Sequence, residues 1–294
     1  MTADGQLLHA SETENPDLFW AIRGGGGNFG VVTALEFKLF PVKEFYGGGV
    51  FFPATSEVFQ AYSRWVETLP DTFTSRVVIY NLPPLPMVPE PLRGRWAVAV
   101  QGAYLGSETD GARQLAPIRQ VAQPLVDTFA TMRYTQMDSI ANDPQEPLAT
   151  ALHTDNINAI TPEFVESLIG AVRIGEPSLL MLVELRHLEG AMATFPADGS
   201  AIGRPSGKFW LNTIGLLPSA EQAALAAQQV ARVQQAVRPY STGRICMNGV
   251  GGSAAKTRAH AAFSPENYQR LVTLKRRYDP QNMFRFNCNI DSQS

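Results

Sequence analysis

The sequence has little from which to build a metal centre or a disulfide framework. Its 294 residues hold two cysteines, Cys246 and Cys288, and four histidines, His9, His153, His187 and His260. Neither type has the spacing of a zinc site, and two cysteines so far apart give no cross-linked scaffold. They are expected to be buried, reduced thiols. No histidine stands near a Ser or Cys in a recognisable nucleophile motif. Charge is sparse as well. Only 17% of residues are charged and the net charge is −3. With no basic stripe, a nucleic-acid footprint is excluded. No apolar run approaches membrane-spanning length. The first residues, MTADGQLLHASETENP, have neither the basic segment nor the apolar core of a leader. A soluble, cytoplasmic protein is the expectation.

What the chain does have is glycine in one place. The stretch Asn15–Val42 reads NPDLFWAIRGGGGNFGVVTALEFKLFPV, with Gly24 to Gly27 consecutive and Gly30 close behind. Glycine weakens helices and strands, so four in a row mark a backbone that needs positive φ or a very close approach to something. Gly25, Gly27 and Gly30 match the letters of the GxGxxG dinucleotide fingerprint. That fingerprint requires a strand before it and a helix after it. Here a short helix, started by Asn15 and Pro16, comes first and the apolar run from Val31 to Leu39 follows. The helix therefore does not aim its positive end across the loop, and a Rossmann site is rejected. Two readings stay open: a loop that cradles an anion or lets a flat ring lie on its backbone, or a structural loop packed between helix and strand.

The rest of the chain alternates strand and helix signals. Val31–Leu39, Tyr46–Phe52, Thr74–Tyr80, Trp96–Leu105, Leu125–Tyr134, Ser178–Leu188 and Phe209–Leu217 read as strands. Ser56–Leu69, Ser107–Val121, Pro162–Ile169, Pro218–Val237 and Pro265–Tyr278 have helical spacing or helix-start signals. The expected fold class is α+β, an antiparallel sheet covered on one face by helices. Ala3-Asp4-Gly5 is a hairpin-turn signal with almost no strand before it, so the N-terminal part of a domain is expected to be absent. Glu184 lies mid-strand beside Arg186, where a solvated face explains it and a base in a pocket wall is the less common alternative. Tyr80, Tyr104 and Tyr134 stand at strand ends. The tail from Tyr278 to Ile290 is rich in asparagine and aromatics, and by itself reads as a C-terminal clasp.

Three of these segments carry a family resemblance. Asn15–Val42 resembles the DLFWALRGGGGNFGVVT segment of the berberine-bridge-enzyme-like FAD-linked oxidases, flavoproteins with a vanillyl-alcohol-oxidase-type (PCMH-type) fold. Tyr278–Ile290 resembles their closing motif YDP.N.FR.NQNI, and Arg186–Ala191 their RHLGGA. The resemblance implies a remnant of the FAD-binding domain at residues 1–42, a substrate domain at 43–263, and a C-terminal segment at 264–294 that returns to the FAD domain. It implies FAD as cofactor, with Gly27, Asn28, Gly30, Val31, Asn287 and Asn289 against it, and no metal. It implies oxidation of an alcohol-bearing small molecule, such as a sugar or secondary metabolite, by hydride transfer to flavin N5, with molecular oxygen as acceptor. Glu184 and Tyr104 are the catalytic candidates. Departures from the family pattern are Cys246 for a tyrosine, Cys288 for a glutamine and Gly203 for a histidine. The family's pyrophosphate loop and its covalent flavin attachments belong to a stretch preceding the Ala3-Asp4-Gly5 turn. The alternative is therefore a non-catalytic remnant, or a half-enzyme completed by a separate FAD-binding chain, with self-association through the exposed FAD-domain face.

Overall fold

The computed structural model describes residues 1–250, 255, 257–286 and 288–291. These form two compact units, each assembled from separate stretches. The first unit comprises residues 1–40, 192–206 and 243–294; the second comprises 41–191 and 207–242. The sequence reading placed its divisions after residues 42 and 263.

The second unit is built on one sheet of eight strands: β1 (Glu44–Pro53), β2 (Phe73–Asn81), β3 (Trp96–Tyr104), β4 (Val126–Asp127), β5 (Ala130–Arg133), β6 (Thr150–Ile157), β7 (Leu180–His187) and β8 (Phe209–Leu216). The order is β4-β1-β3-β2-β7-β8-β6, with β5 also on β1, and every pairing is antiparallel. This is the α+β architecture expected from the sequence. Side chains alternate across a strand. Val50 and Phe52, Val77 and Ile79, Val98 and Val100, Val183 and Leu185, Phe209 and Leu211 all enter one core. Four helices add their apolar stripes to that core: α2 (Ser56–Val66), α3 (Glu108–Arg119), α4 (Pro162–Val172) and α5 (Ala220–Val237). In α2 the stripe is Val58, Phe59, Tyr62, Trp65 and Val66, at helical spacing. Each large side chain buried there contributes about 1.5–3 kcal/mol. Ser107, Thr161 and Ser219 accept a backbone N–H at the starts of α3, α4 and α5.

The sequence signal misses β6. Its sequence, TALHTDNI, alternates polar with polar on both sides for most of its length, so no apolar period announces a strand. The expected strand at Leu125–Tyr134 is two short pieces, β4 and β5. In β7 a bulge between Leu180 and Leu182 turns Leu180 into the core, so it does not share a face with Glu184 as strict alternation requires.

The first unit packs α1 (Pro16–Ile22) and a helix α6 (Pro265–Tyr278) around Leu18, Trp20, Phe29, Phe263, Leu271 and Ile290. Ser264 caps α6 by accepting from Asn267 N at 3.1 Å. Asn15 does not cap α1. It adopts a left-handed backbone, φ 46°, and its Nδ2 donates to His9 O at 2.7 Å. The strand expected over Val31–Leu39 does not form. Among the described residues only Val31 bonds across, to Met1 in both directions. Residues 31–40 are all exposed, with Leu35, Phe37, Leu39 and Phe40 between 69% and 83%. The alternation is present, but among the described residues no neighbouring strand receives it. No described helix is long and apolar enough to cross a membrane.

Candidate functional site

Two constellations, one in each unit, hold part of the set singled out by the sequence.

In the first unit the glycine loop is tied to the C-terminal tail by Asn28. Its Nδ2 donates to Gly25 O at 2.8 Å and Cys288 O at 2.9 Å, and its Oδ1 accepts from Ile290 N at 2.9 Å. Beneath it, Lys275 Nζ donates to Asn28 O at 2.9 Å, Phe284 O at 2.7 Å and Asp279 Oδ2 at 2.6 Å. Asp279 also accepts from Met283 N and Phe284 N. Burial pushes the Asp279 carboxyl up, but Lys275 and the two backbone N–H groups outweigh that and hold it below the usual carboxylate range.

This geometry sorts the expected cofactor residues. Every polar atom of the Asn28 side chain is engaged within the protein, so Asn28 positions the loop and does not offer its amide to a ligand. Gly30 has φ +155°, and a Cβ there would lie 2.5 Å from Met1 O, so its glycine serves packing against the chain itself. Val31 gives its N–H to Met1 O and exposes its side chain. Gly27 is different: it is exposed, and a Cβ built on it meets nothing within 4 Å. Asn289 has a buried Oδ1 with no hydrogen-bond partner. Asn287 lies outside the described residues. A bare glycine backbone and an unpaired amide oxygen fit the flat face and N–H edge of a flavin ring. The residues present are thus compatible with FAD.

In the second unit the sheet face opposite the helices is polar. Register places Gly49, Gln101, Arg76, Arg186, Trp210 and Asn156 in one row across six strands. The next row carries Phe51, Ala99, Val78, Glu184, Asn212 and Thr154. Glu184 is its centre. Glu184 Oε2 accepts from Arg76 Nη1 at 2.6 Å; Oε1 accepts from Arg186 Nε at 3.0 Å, Arg186 Nη2 at 2.9 Å and Asn212 Nδ2 at 3.1 Å. Arg76 Nε donates to Gln101 Oε1 at 3.0 Å, and Tyr80 Oη donates to the same oxygen at 3.0 Å. Burial drives the Glu184 carboxyl upward, but the two guanidiniums reverse this and hold it below its ordinary range. Burial pushes the Tyr80 phenol up, so it keeps its proton at neutral pH.

Glu184 is therefore buried in an ion-pair network, not on a solvated face. A carboxylate held this low is a weak proton acceptor at neutral pH. Tyr104 does not join it. It lies three residues beyond Gln101 on β3, on the helix side, with its ring 5.7 Å from Phe73. The two catalytic candidates thus stand on opposite faces of the sheet. Tyr134 is exposed at the start of a 3-10 turn. Of the three tyrosine candidates, Tyr80, Tyr104 and Tyr134, only Tyr80 reaches the network. The sequence reading missed Arg76, Gln101 and Asn212. The signal was available in Arg76, Val78 and Tyr80, which alternate with the apolar Val77 and Ile79.

Known proteins are similar to the chain over its whole length. Residues 250–291 match the family model for berberine and berberine-like proteins. The chain is 25% identical over its whole length to (R)-6-hydroxynicotine oxidase of Paenarthrobacter nicotinovorans, of which it covers 64%. It superposes on a BBE-like 1 variant of Physcomitrella patens with a TM-score of 0.81 at 18% identity, covering 100% of this chain and 64% of that one. A solved chitooligosaccharide oxidase gives a TM-score of 0.81 at 20% identity, covering 100% and 65%. The chain is similar to the berberine-bridge-enzyme-like FAD-linked oxidases, in its C-terminal segment by family model and over its length by fold. It spans 60–64% of the length of the curated relatives it matches. The family's closing motif thus falls on the tail that Lys275, Asp279 and Asn28 secure.

Proposed function

We propose that this chain supplies the substrate-binding sheet and one wall of the flavin site of an FAD-linked oxidoreductase acting on a hydroxyl-bearing small molecule. The carrying observation is the clamp that fastens the glycine loop to the C-terminal tail, leaving Gly27 open and Asn289 Oδ1 unpaired. The first unit is the flavin side and the second unit is the substrate side.

Bound FAD supplies the hydride acceptor for this chemistry. Gly27 would let the ring approach the backbone, and Asn289 Oδ1 would be available to accept an N–H from it. Asn28 and Lys275 hold that wall in place. On the sheet, Arg76, Glu184, Gln101 and Tyr80 orient the substrate's hydroxyl groups, with the Tyr80 proton held toward Gln101 Oε1. Glu184 is an orienting carboxylate in this reading. Molecular oxygen is the proposed final acceptor.

The exposed apolar residues 31–40 favour a second arrangement, in which a separate FAD-binding polypeptide, or a second copy of this chain, covers this segment. One experiment addresses the activity in either arrangement. Anaerobic addition of alcohol substrates to flavin-loaded protein is expected to bleach the visible flavin absorption, and air is expected to restore it. Flavin that stays bound and oxidised with every alcohol tried contradicts the proposal.

A further inference from the structure

The chain leaves β5 at one edge of the sheet and enters β6 at the other, with β1, β3, β2, β7 and β8 between them. Residues 134–149 make that crossing, and they make it over the polar face. Gln101 Nε2 donates to Ile140 O, and a Cβ built on Gly47 would meet Ile140 Cδ1 at 3.1 Å. Gly47 alternates with Gly49 and Phe51, so both contacts lie on the side of Arg76 and Glu184. The far end is tied by Leu217 N, which donates to Ala149 O at 2.9 Å. Among the described residues, none from Ala141 to Leu148 has a hydrogen bond to the sheet. The backbone of this strap is nevertheless constrained. Asn142 is left-handed, φ 49°, and its N–H donates to Asp138 O at 2.9 Å. Pro144 biases the preceding Asp143 toward extended backbone.

The strap, YTQMDSIANDPQEPLA, carries Asp138, Asp143 and Glu146 and no lysine, arginine or histidine. The network beneath has the opposite balance. Among the described residues, Arg76 and Arg186 share the single carboxylate of Glu184, which leaves one positive charge unanswered. The Arg186 side chain is 43% exposed, so a ligand can reach that charge. Asp143 is exposed and has no ion pair with either guanidinium, yet its charge reaches the network. Burial works against the charge on Arg76, but Tyr80 and Glu184, joined by Asp143, outweigh it and raise its pKa. Burial raises the Tyr80 phenol, and Asp143 adds to that. An anionic ligand entering here finds the spare positive charge answered and meets Asp143 as a like charge. We propose that Asp143 is a specificity-determining residue, through which this face admits neutral and cationic hydroxyl compounds and turns anionic ones away. This rests on the sheet face being the substrate side.

Two alcohols of similar shape and different charge test it without turnover: 4-methylbenzyl alcohol, which is neutral, and 4-(hydroxymethyl)benzoate, which is anionic. Both are titrated calorimetrically into the full chain and into Asp143→Asn. Glu146→Gln removes the same charge from the same strap and serves as the control. Asp143 and Glu146 are both exposed, so neither substitution is expected to move the thermal midpoint. The parent is expected to bind the neutral alcohol at least about threefold more tightly than the anion. Asp143→Asn is expected to tighten anion binding about three- to tenfold and to leave the neutral alcohol within about twofold. Glu146→Gln is expected to change either by less than about twofold. A parent that binds the anion as tightly as the neutral alcohol overturns the proposal. So does an unchanged preference in Asp143→Asn, an equal shift in Glu146→Gln, or no binding of either compound. Any of these results in flavin-loaded protein that an alcohol still bleaches ends the role of Asp143 and leaves the oxidoreductase reading standing. The expected switch in protein that no alcohol bleaches does the reverse.

Discussion

Lys275 and Asp279 form a fully buried ion pair at 2.6 Å, one helical turn apart, where the last helix gives way to the C-terminal tail. Both side chains have zero solvent exposure. The pair is tolerable there because Lys275 spends all three protons on oxygen acceptors and Asp279 also accepts two backbone N–H groups. Lys275→Met removes one partner and strands the other. The expected loss is about 3–5 kcal/mol, read as a lowered urea midpoint. A shift under about 1 kcal/mol would show that the clamp is not holding the tail.

The same clamp sets an acid limit. Asp279 and Glu184 both have carboxyls held below their ordinary range in the folded state. A depressed folded pKa stabilises above the unfolded value, about 4, and that stability is lost as pH falls through the folded value. Stability is therefore expected to be flat from neutral pH to about 5 and to decline below about 4. Asp279→Asn is expected to flatten part of that decline. An unchanged acid profile in Asp279→Asn would remove Asp279 from the explanation.

Glu184 and Arg76 make a separate prediction on the sheet. Glu184→Gln leaves Arg76 and Arg186 without their shared anion, one of them well buried. The expected cost is about 3 kcal/mol or more. Because Glu184 is read as an orienting group, the pH dependence of turnover is expected to keep its shape in that variant while KM rises. Loss of an acidic limb from the pH profile would instead make Glu184 the base.

Exposed apolar residues at 31–40 predict self-association. Leu35→Lys with Phe37→Glu is expected to shift light scattering toward the monomer and leave the folding stability within about 1 kcal/mol of the parent. Monodisperse monomer in the unaltered chain would contradict this.

How much of this was legible in the sequence follows from what each residue does. The core strands and helices were, since Val77 and Ile79 or Phe59 and Tyr62 repeat at the period of their element. The strand β6 was not, because His153, Asp155, Thr154 and Asn156 show no apolar side on either face. The Val31–Leu39 alternation was real and yet formed no ladder, since pairing depends on a neighbour that local pattern does not report. Asn28 was recognised, but the motif does not say that its amide is consumed by Gly25, Cys288 and Ile290. Glu184, mid-strand, and Tyr104, at a strand end, were both catalytic candidates. Only register, three residues from Gln101 to Tyr104, reveals that they face opposite ways.

The central claim is that Gly27 and Asn289 form a flavin-facing wall. Its most direct test is an equilibrium titration of FAD, followed by flavin fluorescence, with the parent chain and with Gly27→Val. The open space around Gly27 makes the substitution nearly neutral for folding, with an expected change within about 0.5 kcal/mol. Saturable binding by the parent and a loss of at least about tenfold in Gly27→Val is the expected result. No saturable binding by the parent, or equal binding by both, would contradict it.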